Sequence, residues 1–507
     1  MSPLRTDIGG FAGPTMRGPV GEPVRLEGWR DYIDRFGGLT RDADLPFALR
    51  GYFENGGEVA YVVRTLDTAS ATASAVWTVG ARDSADFNRW DAESPAGGGF
   101  GFLDYTVVAS SPGAWANGTR VRFDYRLDGR GGVPRVNIEV RTGDGAVESL
   151  LELPTTDLGA AVAERSRLIR LVALTPGPTV VADPGPRVLN WEPVILAGGS
   201  DLSPGYQDYL NAATQLAGQR EVALLAMPDL DRMVGSPEQR SQVLATLIAL
   251  SEAAHDRLVV VGIPEEIRYF EEVLDWLADR RAGLDETAAR SLAVYHPWIR
   301  VADPLGGINR PLREVSPVGH VAGVISRLDR ERGAHHTPAN AALLDAVDLA
   351  HAYSAEDQGA LAMAGINPLR CAPGRGLVVW GGRTAVEAAV GLTGLFIAHR
   401  RLIHRLVRAI RRVAEPLVFD TNGPDLWLKL VRAITHLLLE AFRAGALQGV
   451  RPEHAFLVRC DETNNPPESI DLGRVVCDVS LAPAVPMEFI TLRIALSREA
   501  GLEVLES

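Results

Sequence analysis

The sequence predicts a mixed α/β fold shared among several domains, and three observations carry that prediction. Apolar runs at residues 221–226, 258–263 and 291–295 alternate with helical segments at about 237–256 and 265–281, and each run is followed by a proline, Pro228, Pro264 or Pro297. Continuous apolar runs between helices are the pattern of a parallel sheet covered on both faces. Residues 67–187 instead carry short alternating segments between Gly and Pro, the pattern of a small antiparallel domain. The last third returns to amphipathic helices and then to three strand-like runs. At 507 residues the chain suffices for two to four such units, each with its own core.

Composition narrows the function before any motif does. A hydrophobic content of 46% and a charged content of 23% belong to an ordinary globular protein. The net charge of −13 opposes broad attraction to nucleic acid or to an anionic membrane, because counterion release needs a basic surface. Cys371, Cys460 and Cys477 form no C-x-x-C pair, so neither a disulfide framework nor a zinc knuckle is expected, and the chain suits a reducing compartment. No stretch approaches the ~20 apolar residues of a membrane span, and Pro3 and Asp7 oppose a secretory signal, so assembly in the cytoplasm is expected. Lys429 is the only lysine, which removes P-loop and Schiff-base chemistry. No cofactor is expected.

In chain order, an amphipathic segment at 29–36 stops at Gly37-Gly38, a second at 45–53 ends at Asn55-Gly56-Gly57, and 59–66 follows as a strand. Alternation at 105–109, 120–127, 136–141 and 147–153 gives the strands of the antiparallel domain. The Gly97–Gly101 run lacks the strand-to-helix context of a phosphate loop. Beyond the carboxyl ends of the parallel strands, where open α/β sheets bind ligands, fall Asp229, Glu265 and His296. A hydrolase-like enzyme would be built there, whereas carboxylates after a strand also serve as helix caps and first-turn acids. No Ser, His and Asp set has the context of a triad, so no catalytic residue is assigned. His335-His336 on an extended loop should point apart, and no carboxylate or Cys completes a ligand set, so no metal is assigned.

Two stretches near the end draw most attention. Leu395, Leu402, Ile403, Leu406, Val407, Ile410 and Val413 share one helical face, while Arg400, Arg401, Arg405, Arg408, Arg411 and Arg412 with His404 share the other. Nucleic acid, anionic lipid, an acidic protein surface or plain solvent could face such a stripe, and Arg suits directional pairing with carboxylates. A further helix at 425–444 leads to strand-like runs at 456–458, 475–479 and 489–494. In the last of these Ile490, Leu492 and Ile494 share one face and Phe489, Thr491 and Arg493 the other. Such a late strand either closes its own sheet or is donated to a neighbour's.

Between those runs, Cys460-Asp461-Glu462-Thr463-Asn464-Asn465-Pro466-Pro467-Glu468-Ser469-Ile470-Asp471, with Gly473-Arg474, Leu481-Ala482-Pro483, Pro486 and Glu488-Phe489, closely resembles the C-terminal domain of the contractile tail sheath proteins, which form the sleeve of contractile phage tails and related injection machines. The resemblance continues at Thr6-Asp7-Ile8, Arg17-Gly18-Pro19 and Tyr52-Phe53-Glu54-Asn55-Gly56-Gly57, and in the turn at 111–118. It returns at 316–327, 329–340, Gly365-Ile366-Asn367-Pro368-Leu369-Arg370 and 373–384.

The resemblance implies a sheath core formed by N- and C-terminal parts (1–66 and 386–507), an inserted β domain (67–187) and a subtilisin-like α/β domain (188–385). It implies a structural subunit, not an enzyme, that polymerises around an inner tube and contracts by rigid-body rearrangement, with baseplate and terminator components as further partners. It implies that Arg400, Arg401, Arg405, Arg408, Arg411 and Arg412 face the tube, and that Glu488, Phe489, Ile490, Thr491, Leu492, Arg493 and Ile494 form the strand shared between copies. Neither nucleic acid nor membrane insertion is expected, and the particle could be released outside the cell. Sheath proteins usually begin with a Pro-Gly-Val-Tyr-Val-Glu-Glu arm, and this chain starts almost directly at Thr6-Asp7-Ile8, so it is expected to accept a strand it does not give.

Overall fold

The computed structural model describes residues 5–78, 101–102, 104–126, 135–154, 157–173, 179–180, 193–284, 287–387, 394–484, 490–497 and 501–506. Its centre is an eight-stranded mixed sheet built from β1 (Gly9–Gly13), β2 (Pro23–Leu26), β3 (Ala60–Arg64), β4 (Leu224–Ala226), β5 (Leu258–Gly262), β6 (Leu292–His296), β7 (Ile366–Ala372) and β8 (Gly376–Val379). The spatial order is β2-β3-β1-β4-β5-β6-β7-β8, parallel from β3 to β7 and antiparallel at each edge.

Alternate side chains of these strands enter two separate cores, as a sheet buried on both faces requires. Phe11, Leu224, Val260 and Tyr295 face one core, covered by α1 (Leu45–Glu54) and by the helix Trp29–Phe36. Ala12, Leu225, Val259 and Val294 face the other, covered by α2 (Tyr206–Ala217), α3 (Pro237–Ala254) and α4 (Phe270–Ala282). The first face also takes α5 (Val318–Glu331), whose crossing with α1 is so close that a Cβ on Gly319 would lie 2.0 Å from the Ala48 carbonyl oxygen.

The apolar runs read as parallel strands are therefore found as β4, β5 and β6. The N-terminal residues sit elsewhere than expected: β1 lies between β3 and β4 in the middle of the sheet, so residues 9–64 fold as one unit with 224–379. The run Gly9-Gly10-Phe11-Ala12-Gly13 carries little β propensity, and its strand state is imposed by partners more than 40 residues away. The antiparallel domain is present as strands such as Asp104–Ala109, Arg120–Arg126, Arg135–Arg141 and Val147–Pro154 around its own core. Val194–Ile195 pairs with Val121 and Arg120, which carries this unit past the expected boundary at 187. Residues 97–100 of the glycine run lie outside the described residues.

The C-terminal unit has a core of its own. It comprises α6 (Ile397–Ala414), α7 (Pro424–Arg443) and a second sheet, β9 (Phe456–Arg459), β10 (Val475–Leu481), β11 (Ile490–Ser497) and β12 (Gly501–Glu506), antiparallel and in sequence order. No helix among the described residues is long and apolar enough to cross a membrane.

Candidate assembly interface

The amphipathic division of α6 is present, but its cationic side faces inward. Leu402, Ile403, Leu406, Val407 and Ile410 enter the C-terminal core with Trp427, Leu430 and Ile434 of α7. On the opposite side Arg400, Arg401 and Arg408 are buried, at 0%, 1% and 7% exposure, against the amino ends of β1, β4 and β5. Arg400 donates to Glu252 Oε2 at 3.1 Å. Arg401 donates to the Ala223 carbonyl at 3.0 Å and to the Thr6 carbonyl, and is paired with the carboxylate of Asp329. Arg408 donates to the carbonyls of Glu221 (2.9 Å), Asp256 (3.1 Å), Arg5 (3.2 Å) and Val222. Arg411 pairs with Asp256 Oδ2 at 2.8 Å and donates to the Ala254 carbonyl at 2.8 Å.

The carbonyls ahead of parallel strands need donors when a second unit packs over them, and guanidinium supplies several donors in one planar fork. Burial lowers the Arg408 pKa to about 10, so it remains charged at neutral pH. His404, at 0% exposure among Arg400, Arg401 and Arg408, is held neutral by burial first and by those cations second. The expectation that all six arginines face a second molecule is thus corrected for four. Arg400, Arg401, Arg408 and Arg411 bolt the C-terminal unit onto the large sheet, because their acceptors lie 72 to 403 residues away in sequence. Arg405 is exposed and Arg412 is half-buried.

The strand expected to be donated is also placed differently. Ile490, Thr491, Leu492, Arg493 and Ile494 lie in β11, an inner strand paired with β10 on one side; on the other, pairing to β12 spans Leu492–Ser497. Glu488 and Phe489 lie outside the described residues. Among the described residues the edges of the terminal sheet are β9 and β12. The Leu502 and Val504 alternation around Glu503 was the available signal for β12, weakened by its acids and its length of six residues. At the other edge Ala482 N–H donates to the Ala455 carbonyl, so residues 455, 457 and 459 bond inward to β10 while 456 and 458 turn their backbone groups outward.

The residues that would have started an enzyme site are otherwise engaged. Asp229 accepts the backbone N–H groups of Asp44 (2.6 Å) and Leu45 (2.7 Å), capping the first turn of α1, a helix far away in sequence. His296 is buried, its pKa lowered by desolvation to about 3, with Nε2 2.7 Å from the Tyr353 hydroxyl. Glu265 lies 3.6 Å from Arg268. Each of the three is thus held by neighbours other than the other two. His335 and His336, expected to point apart, have ring centroids 4.3 Å apart and together line a cleft of ≈ 590 Å³ with Trp380, Phe396 and His399.

Comparison with known proteins places this architecture. The sequence profile of the phage tail sheath protein central domain matches residues 203–385, and that of the phage tail sheath C-terminal domain matches 394–497, together more than half of the chain. The tail sheath protein of Vibrio phage KVP40 is 29% identical over 209 residues, 40% of this chain and 27% of the relative; the chain therefore spans about a quarter of that relative's length. A sheath tail protein from Listeria innocua has the same fold, with a TM-score of 0.65 at 12% identity over 99% of this chain and 94% of that one. The helical sheath of the anti-feeding prophage in its contracted state gives a TM-score of 0.56 at 20% identity, over 96% and 91%.

Proposed function

The chain belongs to the phage tail sheath family, and from that premise we propose that it is a structural subunit of a contractile sleeve that polymerises around an inner tube and drives it by rigid-body rearrangement. Heterologous contacts that do not close generate helical tubes, and copies joined through shared strands stay connected while other contacts exchange. The observation that carries the reading is the terminal sheet, whose edge strands β9 and β12 each have a partner on one side only among the described residues. The buried arginines of α6 support it, because a subunit that moves as a rigid body needs its units fastened together. Of the cationic stripe, Arg405 and Arg412 are left to meet acidic groups on a tube. Baseplate and terminal components would contact the same polymer, with assembly in the cytoplasm before release of the particle.

The test is electron microscopy of the purified full chain in negative stain. Tubes or stacked rings are expected; discrete small particles at every protein concentration would defeat the proposal. Val458→Pro removes an outward N–H of β9 without touching its bonds to β10, so it should leave the monomer folded and shorten or abolish the polymer. Polymers of unchanged length would remove β9 from the contact.

A further inference from the structure

We propose that Cys460 and Cys477 are a disulfide-forming pair, a covalent modification site for a low-molecular-weight disulfide oxidant, set across the edge of the terminal sheet. The inference does not depend on the assembly role. The register of β9 with β10 ends at Arg459 opposite Asp478, and one step further brings Cys460 opposite Cys477.

The backbone decides what kind of pair this is. Ala482 N–H donates toward β9, at Ala455, and Val476 gives its N–H and carbonyl to the Asn465 side chain, in the loop that continues β9. Backbone groups along a strand alternate in direction, so 476, 478, 480 and 482 face β9 while Cys477 turns its own toward β11. Cys460 and Cys477 are therefore a non-hydrogen-bonded cross-strand pair, with Cα atoms about 4.5 Å apart. Disulfides span Cα separations of roughly 4.4–6.8 Å, so no strand displacement is needed.

Both side chains point into the C-terminal core, at 7% and 2% exposure. The Cys460 thiol lies beside that of Cys477 and receives Asn465 Nδ2 at 3.7 Å. Those contacts draw the Cys460 pKa down, while the neighbouring thiol and burial push Cys477 up. Cys460, the less buried of the two, is the attacking sulfur and Cys477 the resolving one. In the first step the Cys460 thiolate attacks one sulfur of R–S–S–R, a mixed disulfide forms, and RS⁻ leaves. In the second, Cys477 attacks the Cys460 sulfur and a second RS⁻ leaves, the two thiol protons ending on the departing thiolates. Two thiols are oxidised to one disulfide and R–S–S–R is reduced to two RSH. The bond fastens β9 and the loop after it to β10. Cys371, exposed on β7 of the large sheet, is a separate surface thiol.

The experiment treats the native full-length protein with oxidised glutathione, quenches with an alkylating agent, unfolds it and maps the peptides. The expected result is that neither Cys460 nor Cys477 is alkylated and that their peptides are joined within one chain, whatever the state of the exposed Cys371. In Cys477→Ser, glutathione should instead remain on Cys460. Carrying both measurements into a Cys371→Ser background removes the competing surface thiol. Alkylation of both Cys460 and Cys477 under conditions that oxidise Cys371, glutathione persisting on Cys460 while Cys477 is present, or a bridge between two chains would each overturn the proposal.

Discussion

Arg401→Met tests whether the cationic side of α6 is an internal fastening. Methionine keeps most of the apolar stem and removes every donor. It leaves the Asp329 carboxylate, with a side chain 3% exposed, without its cation, and the carbonyls of Thr6 and Ala223 without the guanidinium. Deleting one member of a buried ion pair costs roughly 3–5 kcal/mol. An orphaned buried acceptor costs about 1–3 kcal/mol more, and protonation of Asp329 recovers part of the total, so a net loss of about 4 kcal/mol is expected. With a urea m-value of about 3 kcal/mol/M, the midpoint should fall by about 1 M. The assay is urea unfolding followed by tryptophan fluorescence, since Trp427 reports the C-terminal core and Trp276 the large sheet. Arg405→Met, at an exposed position of the same helix, should stay within about 0.5 kcal/mol of the parent. Asp329→Leu introduced together with Arg401→Met should recover much of the loss, a coupling that only a direct contact produces. Equal midpoints for Arg401→Met and Arg405→Met would refute the reasoning and return Arg401 to the outer surface.

Three further outcomes follow from the geometry. His320 is fully buried and its pKa is lowered by desolvation to about 4, below the unfolded value of about 6.5. The unfolded chain takes up that proton first, so this contribution to stability is complete above pH 6.5 and declines below it by about 1.4 kcal/mol per unit until pH 4. Melting curves of His320→Leu should fall less steeply between pH 6.5 and 4 by that one proton's share, the shares of buried His296 and His404 remaining; a parallel pH dependence in both proteins would contradict the assignment. Gly319→Ala, whose Cβ would meet the Ala48 carbonyl oxygen at 2.0 Å, should destabilise by about 3 kcal/mol or more, read as a lower melting temperature or loss of soluble protein. Asp229→Ala strips the cap from the first turn of α1 and should cost about 2 kcal/mol in denaturant unfolding; unchanged stability would argue that the carboxylate is kept for chemistry instead.

Elements with strong local patterns could be read from the residues alone. The apolar runs that became β4, β5 and β6 were legible because a strand buried on both faces needs an unbroken apolar stretch. The antiparallel domain, the two-sided character of α6 and the loop motif around Asn464-Asn465 were legible for the same reason, each being specified by neighbours in sequence. What the α6 arginines touch could not be read that way, since a helical face states its charge but not whether solvent, a partner or a set of strand-end carbonyls lies opposite. The same holds for the entry of Gly9–Gly13 into the middle of the large sheet, and for Ile490–Ser497 as an inner strand with Gly501–Glu506 beyond it. Strand order and charge burial are set by contacts tens to hundreds of residues apart, and those contacts exist only once the sheets have formed.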